Sequence, residues 1–341
     1  MRGLRYFGYL ASSSVALAVM FALAGASHAP SRAAEGDLKL LRATLSRSLS
    51  APFIWGFNPI GEKYGLRTQV LDAITNADQQ RNIQTGGVEV GSVGYQSAAA
   101  MAEQNIGNVK IIAGMYVGGQ NLIMRKGVEL RSWKDIEGKK IGRPPGTYAG
   151  ILFTLAAEAN HVDISKVNIV NSTPAGTPEL AALKSGDLDG FVLWSPIVDR
   201  AVIDGYGYYP ACCDIGATKE FGAGNQLLAA NTEFLKDRKL AVTFLKAYVE
   251  AMDFYEKNPD KTVALVAQYT GGSPPILREA IAHSRWSYRV DIDNAVNVAK
   301  QGPKFGFTKS DMSGKVPAYF DLSYLAEATG QSVEQLGTYG R

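Results

Sequence analysis

Cysteine and histidine are scarce: among 341 residues there are two cysteines and three histidines. Cys212 and Cys213 are neighbours and cannot tie distant parts of a fold together, so the fold must stand on packing. They read as two small residues in a buried connection, with a ring disulfide between neighbours as the other form open to them. His161 and His283 lie far apart without ligand spacing, which excludes a structural zinc site. A hydrolase is short of parts too, because neither a nucleophile-elbow motif nor His-Glu-x-x-His occurs and candidate bases are few.

A charge excess is also missing. The formal net charge of +3 belongs to the first 34 residues, where Arg2, Arg5 and Arg32 stand without an acid, leaving 32 basic against 32 acidic residues. So balanced a chain has no clustered basic face for a phosphate backbone, and nucleic acid is excluded as a partner. Long apolar runs are absent as well. The uncharged stretch Val15 to Ala24 is about half of the roughly 20 residues needed to span a hydrocarbon core.

That stretch, preceded by Arg2 and Arg5 and followed by small residues at Ala24-Gly25-Ala26 and Ser31-Arg32-Ala33, has the layout of a secretory signal peptide over residues 1–34. No cysteine follows it to carry a lipid. The expectation is therefore a protein free in the periplasm, with about 300 residues, enough for two ordinary domains.

From Asp37 onward, short β-rich runs alternate with amphipathic stretches, the pattern of a parallel sheet with crossover helices. Strands are expected at Leu38 to Leu45, Gly87 to Gly91, Val109 to Met115, Lys139 to Gly142, Val167 to Asn171 and Gly190 to Trp194. Helices are expected at Ala77 to Gln84, Gln96 to Gln104, Tyr148 to Asn160, Pro178 to Ser185 and Ser195 to Asp204. After Asn231 the pattern is almost wholly helical, with Val242, Leu245, Val249 and Met252 on one face of Leu240 to Lys257. Asn258-Pro259 ends that helix. No tandem repeat is visible.

Leu130-Arg131-Ser132-Trp133-Lys134-Asp135-Ile136-Glu137-Gly138-Lys139-Lys140-Ile141-Gly142 is similar to the segment that opens the second lobe of importer-associated binding proteins. Ala181 to Gly190 and Trp194-Ser195-Pro196 resemble the same family, in its nitrate, sulfonate, taurine and thiamine-precursor branch of periplasmic binding proteins. The likeness is strongest from Val109 to Pro196 and weakest after Gly271. It implies an α/β, type II periplasmic binding fold: two lobes with parallel-type sheets joined by two crossing segments that close around a solute. Lobe 1 would comprise 35–125 and 226–341, and lobe 2 would comprise 126–225, with crossings near 124–129 and 210–226. The partners implied are a small-molecule solute and the permease subunits of an ABC importer, with the chain acting as a monomer, without a cofactor and without catalysis.

In open α/β sheets ligands sit beyond the carboxyl ends of strands, where helix starts present free N–H groups. That rule selects Ser46, Ser48 and Ser50 before Pro52, with helix capping as the plain role of Ser50. It also selects Gly94 and Tyr95 in Gly91-Ser92-Val93-Gly94-Tyr95, expected as a loop. In the second lobe it selects Arg143, Thr147 and Tyr148 of Arg143-Pro144-Pro145-Gly146-Thr147-Tyr148, a loop that in the similar family donates groups to a polar or anionic head. Arg143 replaces the apolar residue usual there and offers a charge to an anion. Ser195 stands where the family commonly has an acid. Trp194 closes a strand at the cleft, Asn225 lies on the return crossing, and Trp55 and Trp286 are expected in packing. A sulfonate wants converging N–H groups and an arginine, whereas an N-heterocycle such as a thiamine-precursor pyrimidine wants ring faces like those of Tyr95 and Trp194. The residues offer both.

Overall fold

The computed structural model describes residues 38–45, 49, 56–73, 76–172, 176–216 and 224–338. The expected signal peptide, Ser46, Ser48, Ser50 and Trp55 lie outside the described residues, as does the side chain of Asn225. Two sheets organise the rest. The first runs β11-β4-β10-β3-β1-β2, with β1 Lys39–Leu45, β2 Leu66–Asp72, β3 Val90–Gly94, β4 Val109–Gly118, β10 Gly224–Asn231 and β11 Ser284–Trp286. The second runs β7-β6-β8-β5-β9, with β5 Gln120–Arg125, β6 Lys140–Arg143, β7 Asn168–Asn171, β8 Gly190–Trp194 and β9 Gly207–Tyr208.

Both sheets are mixed, which corrects the expectation of parallel ones. In the first, β1 pairs parallel with β2 and β3, whereas β10 runs antiparallel between β3 and β4. In the second, β6 is parallel to β7 and β8, and β5 is antiparallel to β8 and β9. The reversed strands are those that carry the chain from one sheet to the other, entering a neighbouring sheet without a crossover helix. Strand β3 is buried along its whole length and β4 over nearly all of it, as strands covered on both faces are.

Strand β3 also starts later than its sequence suggests. Its pairing with β1 begins at Ala43↔Val90, so Gly91 to Gly94 are strand and not loop, and Gly94 ends the strand directly at a helix. The first passage between sheets falls at Gly118-Gly119, earlier than the expected 124–129, because β5 already pairs with β8 from Gln120. Gly118 and Gly119 both have positive φ (77° and 68°), a turn that lets β5 leave the plane of β4. The return lies between Tyr208 and Gly224. On that return Cys212 and Cys213 are joined by a disulfide, where two unlinked small residues were the plainer reading.

The helix Tyr148–Ala159 is apolar on all sides, and Tyr148 through Ala157 are all buried. It packs with Trp133, Ile141 and Val192 in one cluster that is continuous with Leu41, Val93 and Leu228 of the first sheet. The opposite face of the second sheet is closed by Thr177–Ser185 and Ile197–Ile203 over Ile123, Leu183, Phe191 and Leu193. Most later helices pack on the first half. Arg238–Lys257, capped by Asp237, which accepts from the Leu240 N–H, sinks Phe244, Leu245 and Tyr248 into it, and the Tyr248 hydroxyl donates to Gly114 O at 2.8 Å.

Candidate functional site

Two helix starts, one from each half, meet between the sheets. On the first side β3 ends at Gly94, whose extended φ/ψ of −83°/165° makes it the N-cap of Tyr95–Glu103, with no side chain capping that turn. On the second side β6 ends at Arg143, and Thr147 caps Tyr148–Ala159. Tyr95 and Tyr148, the first residues of the two helices, face each other with ring centroids 6.2 Å apart and planes 16° from parallel.

Both rings are buried. The Tyr95 hydroxyl accepts from the Asp291 N–H at 3.2 Å, and Asn294 Nδ2 donates to the Tyr148 hydroxyl at 3.1 Å. Burial pushes the Tyr148 phenol well above its ordinary pKa, with the Asn294 hydrogen bond acting in the other direction. Gly224 closes the Tyr95 ring from the side of β10, since a Cβ there would lie 2.5 Å from Tyr95 Cζ. Beside Gly94, the side-chain oxygens of Gln96 and Gln226 are buried without a donor among the described residues; Gln226 is paired with Gly94 in the sheet.

The Thr147 hydroxyl is engaged locally, accepting from the Gly150 N–H at 3.2 Å and donating to Pro144 O at 2.9 Å. Capping is therefore its visible role, and what the loop still offers is backbone N–H at the first turn. Arg143 is half-buried and folds back along the helix, with Nη1 donating to Thr154 Oγ1 at 2.8 Å. Its Nε is buried without an acceptor, and among the described residues no carboxylate lies within ion-pair distance of it. Burial alone lowers its pKa. A half-buried guanidinium without a counter-charge favours an anion nearby.

The structure thus brings Gly94, Tyr95, Thr147 and Tyr148 to one junction, with Arg143 on the adjoining strand end. Trp194 takes another direction and rests, half-buried, on the cluster beneath Thr177–Ser185 and Ile197–Ile203. Trp286 is buried, its indole donating to Leu49 O at 3.0 Å, in line with a packing role. Asp291, Asn294, Gln96, Gln226 and Gly224 were not anticipated. Asp291 carried a signal, as an acid three residues before Asn294 that caps Ile292–Lys300 through the Asn294 N–H at 2.9 Å.

A family model described as NMT1/THI5 like matches residues 62–262, more than half of the chain. A Brucella abortus (strain 2308) protein, described only in general terms as a binding protein, is 28% identical over 209 residues, covering 60% of this chain and 56% of that protein. The taurine-binding periplasmic protein of Escherichia coli (strain K12) is 26% identical over 185 residues, 53% of this chain and 55% of its own length. The chain thus spans little more than half the length of these curated relatives. In three dimensions it is similar to the alkanesulfonate-binding protein SsuA from Xanthomonas axonopodis pv. citri, with a TM-score of 0.66 at 13% identity over 83% of this chain and 98% of that one. A desulfurization enzyme, DSZB, shares the fold at a TM-score of 0.65 and 14% identity, over 86% and 99% of the two chains.

Proposed function

Because the chain belongs to the NMT1/THI5 like family, we propose that it is the solute-binding protein of an ABC importer, which takes a small anionic solute of the sulfonate class in the periplasm and hands it to membrane permease subunits. One observation carries this reading: two helix starts from separate sheets converge at Tyr95 and Tyr148, and Arg143, at the strand end that leads into the second helix, has no acidic partner among the described residues. Helix-start N–H groups and a guanidinium together are what an oxyanion requires. Nothing in this chemistry asks for a bond to be made or broken, and the solute leaves as it arrived.

Calorimetry on the purified protein with ethanesulfonate, taurine and nitrate tests the reading. At least one of the two sulfonates binds, and mass spectrometry recovers it unchanged. Absence of heat from all three, or recovery of a desulfonated product, removes the proposal.

A further inference from the structure

The seam where the two halves meet at Gly119 holds a buried polar cluster outside the solute site. Gly119 N donates to His283 O at 2.9 Å, and Ser195 N donates to Gly119 O at 2.7 Å, so a single residue is stitched to both halves. A Cβ on Gly119 would lie 2.6 Å from Ser284 Oγ and 3.8 Å from Ser195 Oγ, which places both hydroxyls around one point. Ser284 and Ser195 are 8% and 1% exposed, and neither hydroxyl has a hydrogen-bond partner among the described residues.

One turn beyond Ser195, Asp199 is fully buried. Its Oδ1 accepts the Tyr209 hydroxyl at 2.5 Å, and its Oδ2 has no partner among the described residues. The Tyr209 ring lies 4.2 Å from the ring of His283, whose Nε2 is 3.3 Å from Glu279 Oε1. Ser195, Asp199 and Tyr209 come from the half built on the second sheet. Glu279, His283 and Ser284 come from the half built on the first, through the helix Pro274–Ala282, which packs on Ile197–Ile203. The groups facing Asp199 are therefore Tyr209, Ser195 and His283, with Glu279 behind. Gln120 of β5 pairs with Trp194 of β8, the residue before Ser195, and no lysine or arginine pairs with Asp199 among the described residues.

An ionised carboxylate buried without a cation is costly, and a proton on Oδ2 would remove that cost while supplying a donor for the neighbouring Ser195 hydroxyl. We propose that Asp199 is a proton-linked positioning residue for closure of the two halves: with the proton on, it holds Tyr209 against His283 and favours the closed arrangement. Opening would part His283 from Tyr209 and admit water to the carboxylate. Burial holds the Asp199 carboxyl above its ordinary range, with the hydrogen bond from Tyr209 acting against that rise. The sign follows: a closed form with the higher pKa binds the proton more tightly, so closure is favoured at low pH and weakens as pH rises through the closed-form value.

Small-angle scattering on the full chain without solute, from about pH 5 to about pH 8, tests this directly. The radius of gyration is expected to grow with pH in the native protein and to stay at its small value throughout in Asp199→Asn, which is neutral at every pH. A flat native profile, or an Asp199→Asn profile that follows the native one, overturns the proposal. Should Asp199→Asn fail to fold, the native protein still decides: a buried carboxylic-acid band in the infrared must fade over the same pH interval as the expansion, and its absence at low pH refutes the assignment. A further arm rests on the solute-binding reading, with ethanesulfonate affinity falling by up to about tenfold per pH unit above the window. If ethanesulfonate does not bind at all, that reading fails while the scattering result stands.

Discussion

Tyr95 and Tyr148, the opening residues of two helices that belong to different sheets, stack across the junction at 6.2 Å. Their hydroxyls are held by a third segment, Asp291 to Asn294, so three stretches far apart in the chain converge on one ring pair. Contacts of this kind tie the two halves together at the junction. A second link, Lys304 to Glu158 at 2.6 Å, is close to half exposed on both sides and contributes about 0–1 kcal/mol.

Arg143 gives the first prediction. Arg143→Met keeps the aliphatic packing along Tyr148–Ala159 and deletes the charge that lacks a partner, so urea stability should hold or rise slightly. Affinity for a sulfonate should fall by about tenfold or more, in keeping with a charge-assisted hydrogen bond worth about 1.5–3 kcal/mol. Arg143→Lys should not restore it, because an ammonium cannot reproduce the planar fork. Titration calorimetry on the three proteins decides the matter, and equal affinities would remove Arg143 from the site.

Thr147 behaves differently, since its hydroxyl already serves Gly150 N and Pro144 O. Thr147→Ala should lower unfolding free energy by about 1 kcal/mol through the lost cap, and Thr147→Ser should recover most of it. Any loss of sulfonate affinity should be smaller than for Arg143→Met. A Thr147→Ala protein with native stability in urea melts would contradict the capping geometry.

Much of this arrangement was legible in the residues. Asn258-Pro259 marked the boundary where Arg238–Lys257 gives way to Pro259–Thr270, and the Pro178 stretch marked Thr177–Ser185. The strand-to-helix junctions at Gly94 and Thr147 pointed to the two helix starts that do meet. Strand β10 was not legible, because Gly224-Asn225-Gln226-Leu227-Leu228-Ala229-Ala230-Asn231 has little β propensity and is extended by its place between β3 and β4. Strand β2 was missed for another reason: its inward face carries the polar Thr68 and its outward face the exposed Leu71, which together mask its period. Asn294 and Gln226 reach the junction by long-range topology, which local pattern does not encode.

Gly224 provides a test of that topology. In Gly224→Ala the new methyl would meet the Tyr95 ring at about the 2.5 Å found for the added Cβ, so the ring must move. Overpacking of this kind costs about 1–3 kcal/mol. The near-ultraviolet circular dichroism of the stacked tyrosines should change with it, and sulfonate binding should weaken. A variant with unchanged dichroism and stability would mean that β10 does not press on Tyr95.

The helix Arg238–Lys257 offers a pH test remote from the junction. Glu250 accepts from Lys63 Nζ at 2.8 Å and from the Tyr64 hydroxyl at 2.7 Å, and these two bonds, Lys63 first, hold its carboxyl below the ordinary range. The same carboxylate, through its hydrogen bond and then through burial and charge, pushes Tyr64 up to about 12. A depressed carboxylate lends stability that is present above the unfolded value of about 4.3 and is lost as pH falls through the folded one. A raised tyrosine lends stability that is complete below about pH 10 and is lost as pH climbs toward its folded value. Glu250→Gln should therefore flatten the stability profile at both ends, and ultraviolet titration should show one tyrosine returning toward about 10. If the variant's tyrosine titration overlays the native curve, the Tyr64 to Glu250 bond does not persist in solution.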